Sequence, residues 1–376
     1  MRPIQMVDLK QQYQNIKTEI DTAISQVVES AFFINGPQVQ NFATALEKYN
    51  HVNHVIPCAN GTDALQIALM ALNLQPGDEV ITPSFTFIAT TEVVALLKLT
   101  PVFVDVDPKT FCIDASAIEK AITPRTKAII PVHLYGHAAN MEEIMKIAEA
   151  HNLHVIEDNA QGIGGEVYFL NESTKKTGSV GTINTTSFFP SKNLGCYGDG
   201  GAIMTNDDEL SNRLKMIANH GQSKRYYHDI VGCNSRLDSL QAAVLEVKLK
   251  HLDKYIDARR KLADSYDAAF RDHSKITTPY RASYCKHVFH QYTLILEGID
   301  RNKLHAYLAE LKIPSMIYYP VPAHRQKMFA QFNSSATELP ITDWLTERVI
   351  SLPMHTEMDE EQINFITSSV LNFLNQ

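Results

Sequence analysis

The apolar positions of the chain change rhythm along its length, and the changes mark out its elements. Over residues 8–30, Ile16, Ile20, Ile24, Val27 and Val28 recur at helical spacing in a polar background and predict one amphipathic helix. Asn35-Gly36-Pro37 then forces a turn. From about residue 38 to 205, helical patterns alternate with short, continuous apolar runs. The helix 65–72 precedes the strand 79–82, the helix 91–97 precedes the strand 102–105, and further helices precede the strands 128–132 and 154–157. Runs that are apolar throughout suit strands buried on both faces, and their alternation with helices predicts a largely parallel α/β sheet. A long helix is predicted over 236–270, with Leu237, Leu240, Val244, Val247 and Leu252 as its apolar stripe. The remainder reads as a smaller α+β unit, with a strand at 291–296 and helices at 301–311 and 360–374. The expected division is therefore 1–240 for the N-terminal helix and large domain, and 241–376 for the connecting helix and small domain.

Composition adds exclusions. A chain of 376 residues, 44% hydrophobic and 20% charged, can bury a sizeable core and is not a disordered sequence. The net charge of -8 argues against nucleic acid as a partner, while leaving room for an anionic small molecule bound by a few local donors. The five cysteines, Cys58, Cys112, Cys196, Cys233 and Cys285, are odd in number and scattered, which fits a reducing cytoplasm and neither a disulfide framework nor a metal site. The N-terminal residues lack the apolar core of a signal peptide, and no stretch approaches the roughly 20 apolar residues of a membrane span.

Three places carry candidate chemistry. Asn60-Gly61-Thr62-Asp63 stands directly before a helix, where unpaired amides and the helix dipole favour an anion. It reads either as a phosphate cradle or as an ordinary N-cap. Asp158 follows the strand 154–157, at the carboxyl edge where open α/β sheets bind ligands. It suits a cationic heterocycle or the capping of a loop, and Gln161 lies within reach of the same ring. Lys192, in Ser187-Phe188-Phe189-Pro190-Ser191-Lys192-Asn193, precedes the glycine-rich stretch 195–201. Desolvation by the aromatics would lower its pKa and make it nucleophilic, but a surface lysine in a glycine loop has the same sequence.

The segments 61–65, 157–161, 187–195 and 232–238, in that order, resemble the signatures of the DegT/DnrJ/EryC1/StrS nucleotide-sugar aminotransferases, and the resemblance runs from Val7 to about Met354. It is most similar to enzymes acting on UDP-2-acetamido-2-deoxy-3-oxo-glucuronate and related 3-keto sugars. The resemblance implies the aspartate aminotransferase-like architecture (fold type I) and the cofactor pyridoxal 5'-phosphate (PLP), which alternates with pyridoxamine 5'-phosphate. It implies Lys192 as the lysine that holds PLP as a Schiff base and Asp158 as the partner of the pyridine nitrogen. Gln161 is placed near the ring oxygen, and Phe87 stacked on the ring. Gly61, Thr62, Asp63 and Ser187 fall on the phosphate side of the cofactor site, and Asn234 is supplied by the neighbouring subunit of a homodimer. Phe33, Ser191, Arg236, Tyr318, Tyr319 and His324 should face the sugar nucleotide. Glutamate is the implied donor, and a 3-amino sugar for O-antigen or another surface polysaccharide the implied product.

The chain also departs from its nearest pattern. Tyr318 stands where His is common, Cys233 where a bulkier apolar residue is common, and the segment 287–292 resembles relatives acting on other sugars. A dTDP-linked 3-keto-6-deoxyhexose or a 4-keto sugar is therefore the alternative substrate. A sugar 3-dehydratase of the same fold would carry His at Lys192, and a non-catalytic regulatory relative would be expected to lose Lys192 or Asp158. His133 and His137 do not form a metal site, because Pro131 and Gly136 disfavour a helix between them and no Glu completes the motif. Gly162, Gly164 and Gly165 lack dinucleotide-loop spacing, which argues against a nicotinamide oxidoreductase.

Overall fold

Seven short strands pair into one sheet in the computed structural model of the chain, in which residues 2–332 and 337–375 are described. In chain order they are β1 (His54–Cys58), β2 (Glu79–Pro83), β3 (Thr100–Val104), β4 (Thr126–Ile129), β5 (His154–Asp158), β6 (Ile183–Ser187) and β7 (Gly201–Thr205). Their spatial order is β1–β7–β6–β5–β4–β2–β3. Every neighbouring pair from β3 to β6 is parallel, and only β7 runs against its neighbours β6 and β1. This is the PLP fold type I arrangement. The continuous apolar runs are explained by layers on both faces. Ile81, Ile129 and Val155 enter one core, while Val80, Ala128, Ile130 and Ile156 enter the other, following the two-residue alternation of a strand.

The N-terminal helix expected over 8–30 is two helices, Leu9–Asn15 and Lys17–Ser30. The break falls at Ile16 (φ -122°, ψ 20°), whose side chain is buried with Ile20, Val244 and Val247. The long helix begins at Ser239, later than the pattern suggested, because Asp238 is extended and bridges Ile34.

A second sheet of three strands, Ile276–Thr277, Tyr292–Leu296 and Val349–Leu352, is packed by the helices Arg301–Glu310 and Glu360–Leu374. Its core includes Leu262, Tyr266 and Phe270 from the end of the long helix, and also Ile4. In the other direction, Ala323, Phe329 and Leu339 pack against Phe103 of β3, and Asp105 accepts from the amides of Ile341 (2.9 Å) and Thr342 (2.8 Å). We propose the 1–240 and 241–376 division as one of chain order, with these two exchanges crossing it.

Candidate active site

The carboxyl ends of β1, β5 and β6 and the start of β7 meet at one edge of the sheet. Asp158 ends β5 and pairs in register with Thr185, and Ser187 ends β6 opposite Gly201. Cys58 ends β1 opposite the same Gly201, so the helix Gly61–Ala71 starts beside Ser187. That closeness makes glycine obligatory at 61, since a Cβ there would lie 2.7 Å from Ser187 Cβ.

The helix start resolves the two readings of Asn60–Asp63 by giving each residue its own task. Asn60 is the cap, its side chain accepting from the Asp63 amide at 2.8 Å. Among the described residues the amides of Gly61 and Thr62 carry no hydrogen bond, so they remain available to an anion. Asp63, expected with the cofactor ligands, faces away from that role. Its Oδ2 accepts from Ser235 Oγ at 2.6 Å, and Ser235 Oγ accepts from the Ala59 amide at 3.1 Å. A carboxylate would repel a phosphate, and here it fastens the 232–238 loop to the helix start instead.

Asp158 is 5% exposed. Its Oδ2 accepts from Thr90 Oγ1 at 2.8 Å and its Oδ1 from the Ala160 amide at 3.1 Å. Among the described residues it has no ion-pair partner, and a buried carboxylate in that position suits a protonated ring nitrogen. Its neighbour Glu157 points to the opposite side of the strand and is fully buried. It accepts from the amides of Gly178 (2.8 Å), Val180 (2.6 Å) and Gly181 (2.7 Å), and lies 2.7 Å from His133 Nε2. His133 Nδ1 accepts from the Ala139 amide, so Nε2 carries the proton given to Glu157. Burial raises the Glu157 pKa, but these donors outweigh it and hold the group below the ordinary carboxylate range.

Lys192 sits at the apex of the β6–β7 connection. The loop is closed by hydrogen bonds from the Lys192 amide to Phe189 O and from the Cys196 amide to Phe188 O, both 2.8 Å. Phe188 anchors it, edge-on to Phe42 with ring centres 5.3 Å apart. Burial pulls the Lys192 amine down to about 8 against the opposing charge of Asp158, so the neutral, nucleophilic form is accessible near neutral pH.

Gln161 is engaged on both sides, its Oε1 accepting from the Tyr135 amide at 2.7 Å and its Nε2 donating to Tyr319 Oη at 3.2 Å. Tyr135 in turn donates its hydroxyl to Tyr318 O. Phe87, 54% exposed, lies 6.1 Å from the Tyr319 ring and presents an open aromatic face. Ser191, Arg236 and Tyr318 are half-buried, and Phe33 and Asn234 are exposed. Phe33 is fixed beside the 232–238 loop because its carbonyl accepts from the Ser239 amide at 2.9 Å. Asn234 forms an isolated bridge with Asn219. His324, expected to face the substrate, is instead wholly buried. Its Nδ1 lies 2.7 Å from Ser84 Oγ, so it supports the 84–87 segment from behind. Thr90, Ser235 and Tyr135 join the site without a sequence motif to announce them; the Thr86 and Thr90 hydroxyls, four residues apart in the chain, lie 3.0 Å from each other.

Over residues 14–371 the chain matches the DegT/DnrJ/EryC1/StrS aminotransferase family. The chain belongs to that family. It is an aminotransferase, and its cofactor is PLP, which the free amides at Gly61 and Thr62, the unpaired Asp158 and the half-buried Lys192 fit. The enzyme is 46% identical to a UDP-N-acetyl-3-dehydro-alpha-D-glucosamine 3-aminotransferase of Acidithiobacillus ferrooxidans, over 98% of this chain and 97% of that one. It is 44% identical to the UDP-2-acetamido-2-deoxy-3-oxo-D-glucuronate aminotransferase of Pseudomonas aeruginosa, over 98% and 100%. A protein of Geobacillus stearothermophilus named a pleiotropic regulatory protein is 45% identical, over 98% of each. Among solved structures, NtdA from Bacillus subtilis with bound cofactor PMP superposes with a TM-score of 0.89 at 33% identity, covering 96% of this chain and 82% of that one. No helix among the described residues of the aminotransferase is long and apolar enough to cross a membrane, and no His/Cys/Asp/Glu group among them is arranged for a metal ion.

Proposed function

We propose that the enzyme converts a UDP-linked 2-acetamido-3-keto hexose or hexuronate to its 3-amino sugar, with glutamate as donor. The product would serve O-antigen or another surface polysaccharide, and the enzyme would work in the cytoplasm as a homodimer with shared sites. The observation that carries the chemistry is a lysine amine lowered by burial to about 8, set within the field of the buried Asp158 carboxylate, which among the described residues forms no ion pair. The sugar rests on two relatives whose names share UDP, a 2-acetamido group and a 3-oxo carbon. Their difference, a carboxylate against a hydroxymethyl at C6, leaves both classes within the proposal.

Bound PLP supplies an electron sink conjugated to the reacting amine. Lys192 is the residue that would hold it, and its amine would move the proton at the donor's α-carbon and at the sugar's C3. Proton transfer by a positioned group typically contributes about a hundred- to ten-thousand-fold. Asp158 keeps the ring nitrogen protonated. The Gly61 and Thr62 amides and the Ser187 hydroxyl hold the phosphate, joined by Asn234 of the partner subunit. Phe87 covers the ring, and Gln161 orients Tyr319 beside it. Phe33, Ser191, Tyr318 and Tyr319 line the sugar side, where Arg236 pairs with the diphosphate or a C6 carboxylate. Retention of both Lys192 and Asp158 supports an enzyme over a regulatory relative without catalysis, and Lys192 over a dehydratase.

The test is the visible spectrum of the PLP-loaded protein. Glutamate should bleach the band to the pyridoxamine form, and the UDP-3-keto sugar should restore it. Restoration only by a dTDP-linked or 4-keto sugar would replace the proposed substrate, and a band indifferent to glutamate would replace the donor.

A further inference from the structure

We infer that Lys248 is a positioning residue for Lys192, its buried side chain holding the Gly195 carbonyl and so fixing the loop that presents the cofactor's lysine. The inference rests on the reading of Lys192 as that lysine.

Lys248 lies in the middle of the long helix and is 1% exposed. Its Nζ donates to Gly195 O at 2.8 Å and stands 4.6 Å from the centre of the Tyr197 ring. Two turns earlier on the same face, Gln241 clasps the Tyr197 backbone, its Oε1 accepting from the amide at 2.8 Å and its Nε2 donating to the carbonyl at 3.3 Å. Between and beyond them Leu245 and Leu252 share a core with Phe188, Leu194 and Cys196. One helix face thus meets the whole descending limb of the Lys192 loop. The limb has no slack, since a Cβ at Gly195 would lie 2.4 Å from Pro190 O.

The chemistry of Lys248 is not what stability alone would call for. Among the described residues no carboxylate pairs with it, and its only polar partners are a carbonyl and an aromatic face. Burial pulls its amine down to about 8. A buried ammonium without a counter-charge carries a desolvation cost that an apolar side chain of similar volume does not. A lysine kept there therefore points to the carbonyl it holds rather than to the core it occupies.

Lys248→Met keeps the length and removes the donor. In the cofactor-free protein, the variant should melt at or above the wild-type temperature. Amide exchange in residues 192–197 should accelerate by about ten- to a hundredfold, as expected for one lost charge-assisted hydrogen bond, with the rest of the chain unchanged. Borohydride trapping of added PLP on Lys192 should slow, and Lys248→Gln, which retains a donor, should recover part of both effects. A lower melting temperature with exchange raised throughout, or failure of both variants to fold, would make Lys248 a stability residue and overturn the inference. Unchanged local exchange would overturn it as well. Exchange is measured without cofactor, so a wrong role for Lys192 would show separately, as trapping elsewhere in the wild type.

Discussion

Thr90 Oγ1 donates to Asp158 Oδ2 at 2.8 Å, from the first turn of the helix Ala89–Leu96 to the last residue of β5. This one hydroxyl sets which lone pairs of the carboxylate remain free. Thr90→Val keeps the shape and removes the donor, leaving only the Ala160 amide on Asp158. The loss of a hydrogen bond to a buried charge should lower kcat about tenfold or somewhat more, with PLP still bound. Steady-state kinetics beside cofactor content would check this; an unaltered kcat would mean that Asp158 is oriented without Thr90.

Lys192→Ala should abolish turnover and the borohydride-trappable link to PLP together. Asp158→Asn should retain the link and lose about a hundred- to a thousandfold in kcat, the scale of a removed electrostatic group. Mass spectrometry after reduction, paired with single-turnover rates, separates the two. Wild-type activity in either variant would remove that residue from the site.

Covalent capture of PLP requires the neutral amine. The Lys192 amine is lowered from the 10.5 of an exposed lysine to about 8, so capture by the cofactor-free protein should rise with pH and level off just above 8. A rise that continues toward 10 would show an unperturbed lysine.

Glu157 should govern acid stability. Its folded pKa is lowered from 4.5, so its stabilisation is present in full above that value and is lost as pH falls through the lower, folded one. Glu157→Gln places an amide NH2 either against the Val180 and Gly181 amides or against the Gly178 amide and His133 Nε2, and should cost about 3–5 kcal/mol at neutral pH, the range for breaking a buried charged network. Denaturant titrations at neutral and acid pH should show the difference between wild type and variant shrinking on acidification.

His324→Ala should behave as a packing defect rather than a change of substrate preference. Losing the buried ring and its contact to Ser84 should cost about 2–4 kcal/mol of stability. KM values for UDP- and dTDP-linked sugars should move together; a change in their ratio would restore His324 to the substrate side.

The sheet and its ligand edge were legible in the chain because they depend on local periodicity. Runs such as Val80–Thr82 are buried throughout since both faces are covered, and Asp158, at the end of the strand His154–Asp158, is placed by chain direction alone. Lys192 was legible through its motif and the glycines that let the loop turn. What was illegible lies in contacts between distant residues. Thr90 reaches Asp158 across 68 positions, and Lys248 reaches Gly195 across 53. Asp63 sits in a phosphate-site motif, yet its partner Ser235 is 172 positions away and decides which way the carboxylate points. The surroundings of His324 are illegible for the same reason, since only the fold reveals that Ser84 lies against it.

Ile4 belongs to the core of the small sheet, and Ala323, Phe329 and Leu339 cover Phe103 on the large one. A protein severed within the long helix would thus yield two halves, each lacking a piece of its own interior that the other carries. Expressed separately, such halves should be poorly soluble; expressed together, they should reassociate. That makes the helix a natural cut site for a split enzyme whose colour returns only when both fragments meet.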